Sequence, residues 1–161
     1  MDGRTSKEEY YLNIADAVLN RSTCLRRKYG AIIVRNDEII STGYNGAPRG
    51  RVNCTELGRC TRDELGIPSG QRYELCRSVH AEANAIISAA RRDMLGGTLY
   101  LVGRDAKTHE LLADTMPCSM CKRHIINAGI TQVVVRTGPE SYNVIHVRDW
   151  VTNDESLPAF S

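Results

Sequence analysis

The segment AIIVRNDEIIST, residues 31–42, contains two short apolar runs separated by a polar dipeptide. The residues on either side of the dipeptide are mostly β-branched or apolar, which is typical of strands. Asn36 and Asp37 lie between them and have the side chains that favour a tight turn. The segment therefore predicts a β-hairpin made of strands 31–34 and 38–42.

A helix is predicted before this hairpin, over residues 5–20. Tyr11, Ile14, Ala15 and Val18 follow the i, i+3, i+4, i+7 spacing of one apolar helix face.

Further elements are predicted after the hairpin. Ala83, Ile86, Ile87 and Ala90 form an apolar face in a second helix, residues 78–92, with Ser78 as its N-cap. The remaining elements are a strand at 98–102, a helix from Pro117 to near Gly129, a strand at 130–135 and a further strand at 142–147. This alternation predicts an α/β layered domain with a mixed sheet.

Length and composition exclude several protein classes. The chain has 161 residues, 42% of them hydrophobic and 25% charged, as in an ordinary globular domain. A net charge of +2 gives no reason to expect nucleic acid as a partner. No apolar run approaches the roughly 18 residues of a membrane span, and the beginning of the chain lacks the apolar core of a signal peptide. We expect a cytoplasmic protein with one domain at 1–150 and a polar tail at 151–161.

The stretch from Gly43 to Gly70 shows no periodicity and is rich in Gly, Pro, Arg and Cys. It is predicted to be a long loop. Loops of this length inside a small domain are usually functional or held by a ligand.

Two short motifs contain residues that can bind a metal. His80 precedes Glu82 by two positions at the start of the second helix, and Cys118 and Cys121 lie at the start of the third. Cysteines at i and i+3 share a helix face, and a helix N-terminus favours the thiolate. The two helix starts are expected at one edge of the sheet, so the three side chains can bind one ion.

One His and two Cys leave a fourth position on Zn²⁺ open, which is the pattern of a catalytic site. Glu82 is then the candidate proton carrier. Taken alone, the Cys118–Cys121 pair could also be a structural zinc site, a redox pair or a packing feature. Those readings leave Glu82 without a role.

Three stretches carry a resemblance to a known family. They are GYNGAPRG at 43–50, HAEANAI at 80–86 and PCSMC at 117–121, within a region from about residue 22 to 135. The chain resembles the cytidine and deoxycytidylate deaminase superfamily, and within it the deoxycytidylate (dCMP) branch. The His-x-Glu and Pro-Cys-x-x-Cys motifs are the signature of zinc deaminases.

The resemblance implies a three-layer cytidine-deaminase-like fold with a mixed five-stranded sheet flanked by helices. It also implies a zinc-dependent hydrolase that converts dCMP to dUMP and ammonia and feeds dTMP synthesis. In that reaction Glu82 protonates N3 and then the leaving amine.

The resemblance also indicates residues for the substrate. Asn45 is expected to hydrogen-bond the nucleotide near its sugar or base, although it could instead be a turn residue with positive φ. Arg26, Lys28 and Arg49, together with Arg27, are candidates for binding the phosphate, and each could equally be a surface charge.

Four cysteines remain outside the first cluster. They are Cys24, Cys54, Cys60 and Cys76, and three of them lie in or next to the long loop. This distribution predicts a second, structural Zn²⁺ with four thiolate ligands. The alternative is that one or two of them are buried free thiols.

Regulation is implied by the resemblance alone. Members of the dCMP branch are commonly hexamers, activated by dCTP and inhibited by dTTP, and Mg²⁺ would accompany a triphosphate effector. Tyr44, Gly46 and Arg91 are the candidate effector residues. Arg91 is expected on the same helix as Glu82, about two and a half turns further along. It could instead only offset the helix dipole.

The sequence departs from the family pattern at residues 104–116, where a polar insertion containing His109 lengthens the connection to Pro117. It is expected to form a lid or an interface loop. Two other functions remain open: another zinc deaminase, acting on tRNA adenosine or on a pyrimidine of riboflavin synthesis, and a two-zinc structural module that binds a macromolecule.

Overall fold

The computed structural model describes residues 3–68 and 70–157. Five strands form one mixed sheet, as predicted, and their order is β2-β1-β3-β4-β5. The strands are β1 (Arg27–Arg35), β2 (Glu38–Tyr44), β3 (Thr98–Asp105), β4 (Gln132–Gly138) and β5 (Ser141–His146). The β3–β4 pair is parallel and the other neighbouring pairs are antiparallel. Strands β2, β3 and β4 therefore run in the same direction.

The β1–β2 hairpin forms where the sequence predicts it. Asn36 and Asp37 have φ values of 52° and 61°. Left-handed backbone at both central residues is the requirement of the two-residue turn that matches strand twist. Asn and Asp tolerate that conformation better than other residues with side chains.

Helices cover both faces of the sheet. They are α1 (Lys7–Val18), α2 (Cys54–Leu57), α3 (Thr61–Glu64), α4 (Ala81–Ile87), α5 (Arg91–Met94), α6 (Ser119–Ala128) and α7 (Val147–Thr152). Helix α1 packs on one face, and α4 and α6 pack on the other. The side chains of β1 alternate between the two cores: Ile32 faces α1, and Ile33 faces the α4–α6 side. The predicted three-layer α/β fold is confirmed.

Helix α4 lies unusually close to β2. A Cβ atom on Gly43 would lie 2.3 Å from the carbonyl oxygen of Ala81 and 2.4 Å from the backbone nitrogen of Ala85. Only glycine leaves room for the helix backbone at this distance. This contact sets the position of the N-terminal end of α4.

The predicted second helix, residues 78–92, is wrong in its extent. Its N-cap is His80 rather than Ser78, and α4 ends at Ile87. Ala90 has extended backbone, and the separate short helix α5 follows it. The turn lets Met94 reach the core, where it is 3% exposed. Burial of this side chain outweighs the helix propensity of the alanine-rich connection.

The stretch predicted as a long loop contains the two single helical turns α2 and α3. A 3₁₀ turn at Tyr73–Leu75 follows it. At the other end of the chain, α7 includes residue 150, where we predicted the boundary between the domain and its polar tail. The division into domain and tail stays a prediction. Within the described residues, no helix is long and apolar enough to cross a membrane.

Candidate active site

The N-terminal ends of α4 and α6 meet at one edge of the sheet. Helix α4 follows β2 and the long loop, and α6 follows β3 and the insertion. Because β2 and β3 point in the same direction, both helices begin at the same edge. His80 is the N-cap residue of α4, and Cys118 is the N-cap residue of α6. The predicted placement of the two helix starts is therefore confirmed.

Three side chains at these helix starts form a compact cluster. The Sγ atoms of Cys118 and Cys121 lie 3.4 Å and 3.5 Å from Nδ1 of His80. Ligand atoms around a tetrahedral Zn²⁺ with bonds of about 2.0–2.3 Å are separated by roughly 3.5 Å. The three residues therefore fit a zinc ion without rearrangement.

The two sulfurs differ in proton affinity. The hydrogen bond with Cys121 lowers the pKa of the Cys118 thiol to about 4. The same interaction raises the pKa of Cys121. Cysteine binds Zn²⁺ as the thiolate, so metal binding releases any proton that these sulfurs hold.

Glu82 lies beside the cluster at the base of a cavity and is 5% exposed. Burial raises the pKa of its carboxyl group, while its own backbone N–H and the charge of His80 act in the opposite direction. A carboxyl group with a raised pKa can both accept and donate a proton near neutral pH.

The cavity has a volume of about 100 Å³. Asn45 lines it, and its amide is already held by the protein. Its Oδ1 accepts hydrogen bonds from Oγ of Ser22 at 2.6 Å and from the backbone N–H of Tyr29 at 2.8 Å. Its Nδ2 donates to the carbonyl oxygen of Arg27 at 2.8 Å, so one amide N–H remains for a ligand. Asn45 does not have positive φ, so the alternative of a left-handed turn residue is wrong.

The candidate phosphate residues separate into two groups. Arg26 lines the cavity and pairs with Asp63 at 3.3 Å. Lys28 lines only the neighbouring groove, which Arg26 and Arg27 also border. Arg49 lies on an exposed loop and lines neither space. The assignment of these cations to the phosphate stays a prediction.

Arg27, the fourth candidate for the phosphate, also lines the cavity. Its guanidinium donates a hydrogen bond to the Tyr29 hydroxyl and lies 3.9 Å from the carboxylate of Asp114. Burial raises the pKa of Tyr29, and the bond from Arg27 opposes that effect.

Three of the four remaining cysteines line the same cavity. Cys24, Cys60 and Cys76 line it, and Cys54 is buried nearby. Burial raises the pKa of Cys54, and the charges of Cys24 and Cys76 raise it further. Within residues 3–68 and 70–157, however, only His80, Cys118 and Cys121 bring three such ligand atoms within 4.8 Å of one another. The second zinc site stays a prediction.

The candidate effector residues lie outside the cavity. The carbonyl oxygen of Tyr44 accepts a hydrogen bond from Nδ2 of Asn84, and Gly46 pairs with Val79 through the backbone. Arg91 belongs to α5, and its Nε donates to the carbonyl oxygen of Asn127 at 2.7 Å. The predicted continuous helix from Glu82 to Arg91 is therefore wrong, because the chain turns at Ala90.

The insertion at 104–116 forms part of the cavity rim. Arg104 pairs with Leu111 through the backbone and holds the carboxylate of Asp16 through two hydrogen bonds of 2.6 Å and 3.0 Å. Met116 lines the cavity. The insertion thus borders the site and is attached to α1.

Two residues of the cavity wall were missed at the sequence level, Arg62 and Tyr73. Arg62 is 6% exposed, and its guanidinium lies 4.4 Å above the Tyr73 ring. The Tyr73 ring makes an edge contact with the His80 ring at 4.8 Å. Both residues come from the aperiodic stretch, where no sequence pattern distinguishes them from surface residues.

Comparison with known proteins places this geometry in a family. Residues 5–137 match the family described as the cytidine and deoxycytidylate deaminase zinc-binding region. The chain is 38% identical over 141 residues to a deoxycytidylate deaminase of Schizosaccharomyces pombe, with 88% of the chain and 39% of the relative covered. It is 39% identical over 135 residues to a deoxycytidylate deaminase of Mycobacterium phage D29, with 81% and 94% covered.

A solved structure has the same fold. The dCMP deaminase of cyanophage S-TIM5, in complex with dCMP and dUMP, superposes with a TM-score of 0.58 at 28% identity, covering 83% of this chain and 84% of that one. The present chain spans about two-fifths of the length of the fission yeast relative and nearly all of the mycobacteriophage one. With the family match over most of its length and the metal-binding cluster in place, the chain belongs to the cytidine and deoxycytidylate deaminase family.

Proposed function

We propose that the chain is a zinc-dependent hydrolase that converts dCMP and water to dUMP and ammonia. The observation that carries the proposal is the buried Glu82 carboxyl beside the His80–Cys118–Cys121 cluster. The deoxycytidylate deaminases among its relatives support the choice of substrate.

The roles of the residues follow from their positions. His80, Cys118 and Cys121 would hold a zinc ion, which would supply a Lewis acid that makes water a nucleophile at neutral pH. Glu82 accepts one proton of the attacking water and delivers it to N3 of the base. It then accepts the remaining proton of the added hydroxyl group and delivers it to the amine, which leaves as ammonia. Asn45 offers its remaining amide N–H to the nucleotide. The closed walls around Glu82 limit competing proton exchange with bulk water.

A spectrophotometric assay of the zinc-loaded protein tests this proposal. We expect turnover of dCMP and little turnover of deoxycytidine, cytidine or adenosine-containing oligonucleotides. Turnover of an adenosine oligonucleotide alone would favour a tRNA-type deaminase. Absence of turnover with every substrate would favour the structural two-zinc module.

A second zinc ion at Cys24, Cys54, Cys60 and Cys76 is part of the proposal. Three of these cysteines line one cavity. The fourth, Cys54, lies close enough to Cys24 and Cys76 for their charges to raise its pKa. All six cysteines are free thiols in the structure, which also suits a reducing compartment such as the cytoplasm. Metal analysis should find two zinc ions per chain, and a value near one would exclude the second site.

We also propose a homo-oligomer, a hexamer by resemblance, that responds to dCTP and dTTP with Mg²⁺ on the triphosphate. An apolar groove of about 450 Å³ between α4, α5 and α6 supports self-association, and Ile87 at its rim is 70% exposed. Arg91 lines the same groove. Light scattering should show that Ile87→Glu reduces the mass of the particle, and saturation curves for dCMP should shift with dCTP.

A further inference from the structure

Arg62 is a buried cation in the wall of the cavity. It is 6% exposed, and its side chain lines the same space as His80 and Glu82. Its Nε donates to the carbonyl oxygen of Gln71 at 3.2 Å, and its Nη2 donates to that of Pro68 at 3.1 Å.

Within the described residues, this guanidinium has no acidic partner. Among residues 3–68 and 70–157, no carboxylate oxygen lies within 4.0 Å of Arg62. A buried charge without a partner is costly, and a guanidinium does not lose its proton in proteins. The two carbonyl contacts use only two of its five N–H groups.

The other two arginines of the cavity wall differ from Arg62 in this respect. Arg26 pairs with Asp63, and Arg27 lies near Asp114. Both of those acidic partners are largely exposed. Arg62 is thus the wall cation that is both the most buried and the least neutralised within the described part of the chain.

A purely structural role explains only part of the arrangement. The bonds to Pro68 and Gln71 hold the loop after α3, and the Tyr73 ring supports one face of the guanidinium. A neutral amide could make the carbonyl contacts without burying a charge. The structural role therefore leaves the charge itself unexplained.

The distance from the metal-binding cluster suits a nucleotide. The Tyr73 ring contacts both groups: its centroid lies 4.4 Å from the guanidinium carbon of Arg62 and 4.8 Å from the centroid of the His80 ring. In a pyrimidine nucleotide, the phosphate is separated from C4 by the base and the sugar, which is a comparable span.

Resting on the proposed function, we infer that Arg62 binds the 5′-phosphate of the substrate and sets the preference for nucleotide over nucleoside. Guanidinium binds phosphate through paired, charge-assisted hydrogen bonds, and a desolvated guanidinium already held by Tyr73 loses little entropy on binding. Arg26 and Arg27, which line the same cavity, then assist.

The test compares Arg62→Gln, Arg62→Lys and the matched control Arg59→Gln, which removes an exposed cation from the same loop. We expect kcat/KM for dCMP to fall about 100-fold in Arg62→Gln and kcat/KM for deoxycytidine to change less than about threefold. Calorimetry should show the same loss for dUMP and none for deoxyuridine. Arg62→Lys should retain part of the preference, and Arg59→Gln all of it.

A parallel loss for dCMP and deoxycytidine, with lowered melting temperature and zinc content in both Arg62 variants, would overturn the inference in favour of a structural role. An unchanged preference for dCMP in Arg62→Gln would also overturn it. If the wild-type protein turns over neither substrate, the proposed function fails separately. Calorimetry with inorganic phosphate then still tests whether Arg62 binds phosphate. The inference requires that phosphate binding weakens in Arg62→Gln and not in Arg59→Gln.

Discussion

Two groups of cysteines have members that line the same cavity, yet the groups are positioned by different kinds of structure. Cys118 and Cys121 lie on the first turn of α6 and face His80 at the start of α4. Cys54, Cys60 and Cys76 lie on single turns and irregular backbone between residues 54 and 76. The first group has its ligand atoms already at zinc-binding distances, and the second does not.

The difference shows how each site depends on the fold. Helices α4 and α6 are packed on the sheet through fully buried residues such as Ala85 and Ile125, so the first site is held by the hydrophobic core. The loop has few buried apolar side chains, Cys54 among them. A metal at the second site would supply part of the free energy that orders the loop.

The largest expected effect is on the first site. Cys118→Ser removes a zinc ligand, and we expect the catalytic zinc to be lost and dCMP turnover to fall by at least about 10³-fold. The free energy of unfolding should change little, because the core holds both helices. Metal analysis and the dCMP assay measure these effects. A variant that retains zinc and activity would contradict the assignment of Cys118 as a ligand of the catalytic zinc.

A smaller effect is expected at the second site. Cys76→Ser should reduce the zinc content from about two ions to about one, lower the melting temperature, and leave dCMP turnover within about tenfold of wild type. The opposite pattern, full zinc content with lost turnover, would mean that Cys76 acts in the reaction rather than in the loop.

Two glycine substitutions compare the scaffolds directly. Gly43→Ala places a methyl group against the backbone of α4 at 2.3 Å and 2.4 Å. We expect it to destabilise the protein by about 3 kcal/mol and to impair turnover by displacing His80 and Glu82. Gly66→Ala, at a loop residue with φ +68° and open surroundings, should cost only about 1–2 kcal/mol and leave turnover unchanged. Chemical denaturation and the dCMP assay measure both effects, and equal losses of turnover would contradict this contrast.

The smallest effect concerns the scaffold away from both sites. The Tyr11 hydroxyl donates a hydrogen bond to the Asp37 carboxylate in the hairpin turn, and this bond raises the pKa of Tyr11 to about 12. Since the folded-state pKa lies above the ordinary value of 10, the bond stabilises the protein fully below pH 10. That stabilisation should disappear as the pH rises from 10 towards 12.

Tyr11→Phe should remove this part of the pH dependence, and the exposed neighbour Tyr10→Phe serves as its control. Denaturation curves at pH 9 to 12 provide the measurement. An alkaline loss of stability that is identical in Tyr11→Phe would show that another group causes it.

The sequence was sufficient for the features that have a period or a motif. The hairpin follows from Asn36 and Asp37, and the metal cluster follows from the spacing of His80, Cys118 and Cys121 at helix starts. The length of α4 could not be predicted, because only the burial of Met94 explains why the chain turns at Ala90.

The cavity wall was harder to predict for a different reason. Helix α3 has four residues, which are too few to show a hydrophobic period. The burial of Arg62 could therefore not be predicted from the sequence. Arg27 was among the phosphate candidates, and the structure shows why it lines the cavity. Strand β1 begins at Arg27 rather than at Ala31, and alternation along the longer strand places Arg27 and Tyr29 on the same face.

The most direct test of the central claim is the turnover of dCMP by Glu82→Gln, with zinc measured on the same sample. Glutamine keeps the shape of the side chain and its hydrogen bonds but cannot carry a proton. We predict that the wild-type protein deaminates dCMP and that the variant retains its catalytic zinc while losing roughly 10²–10⁴-fold in rate. A zinc-loaded variant that keeps more than about a tenth of the wild-type rate would contradict the assignment of Glu82 as the proton carrier.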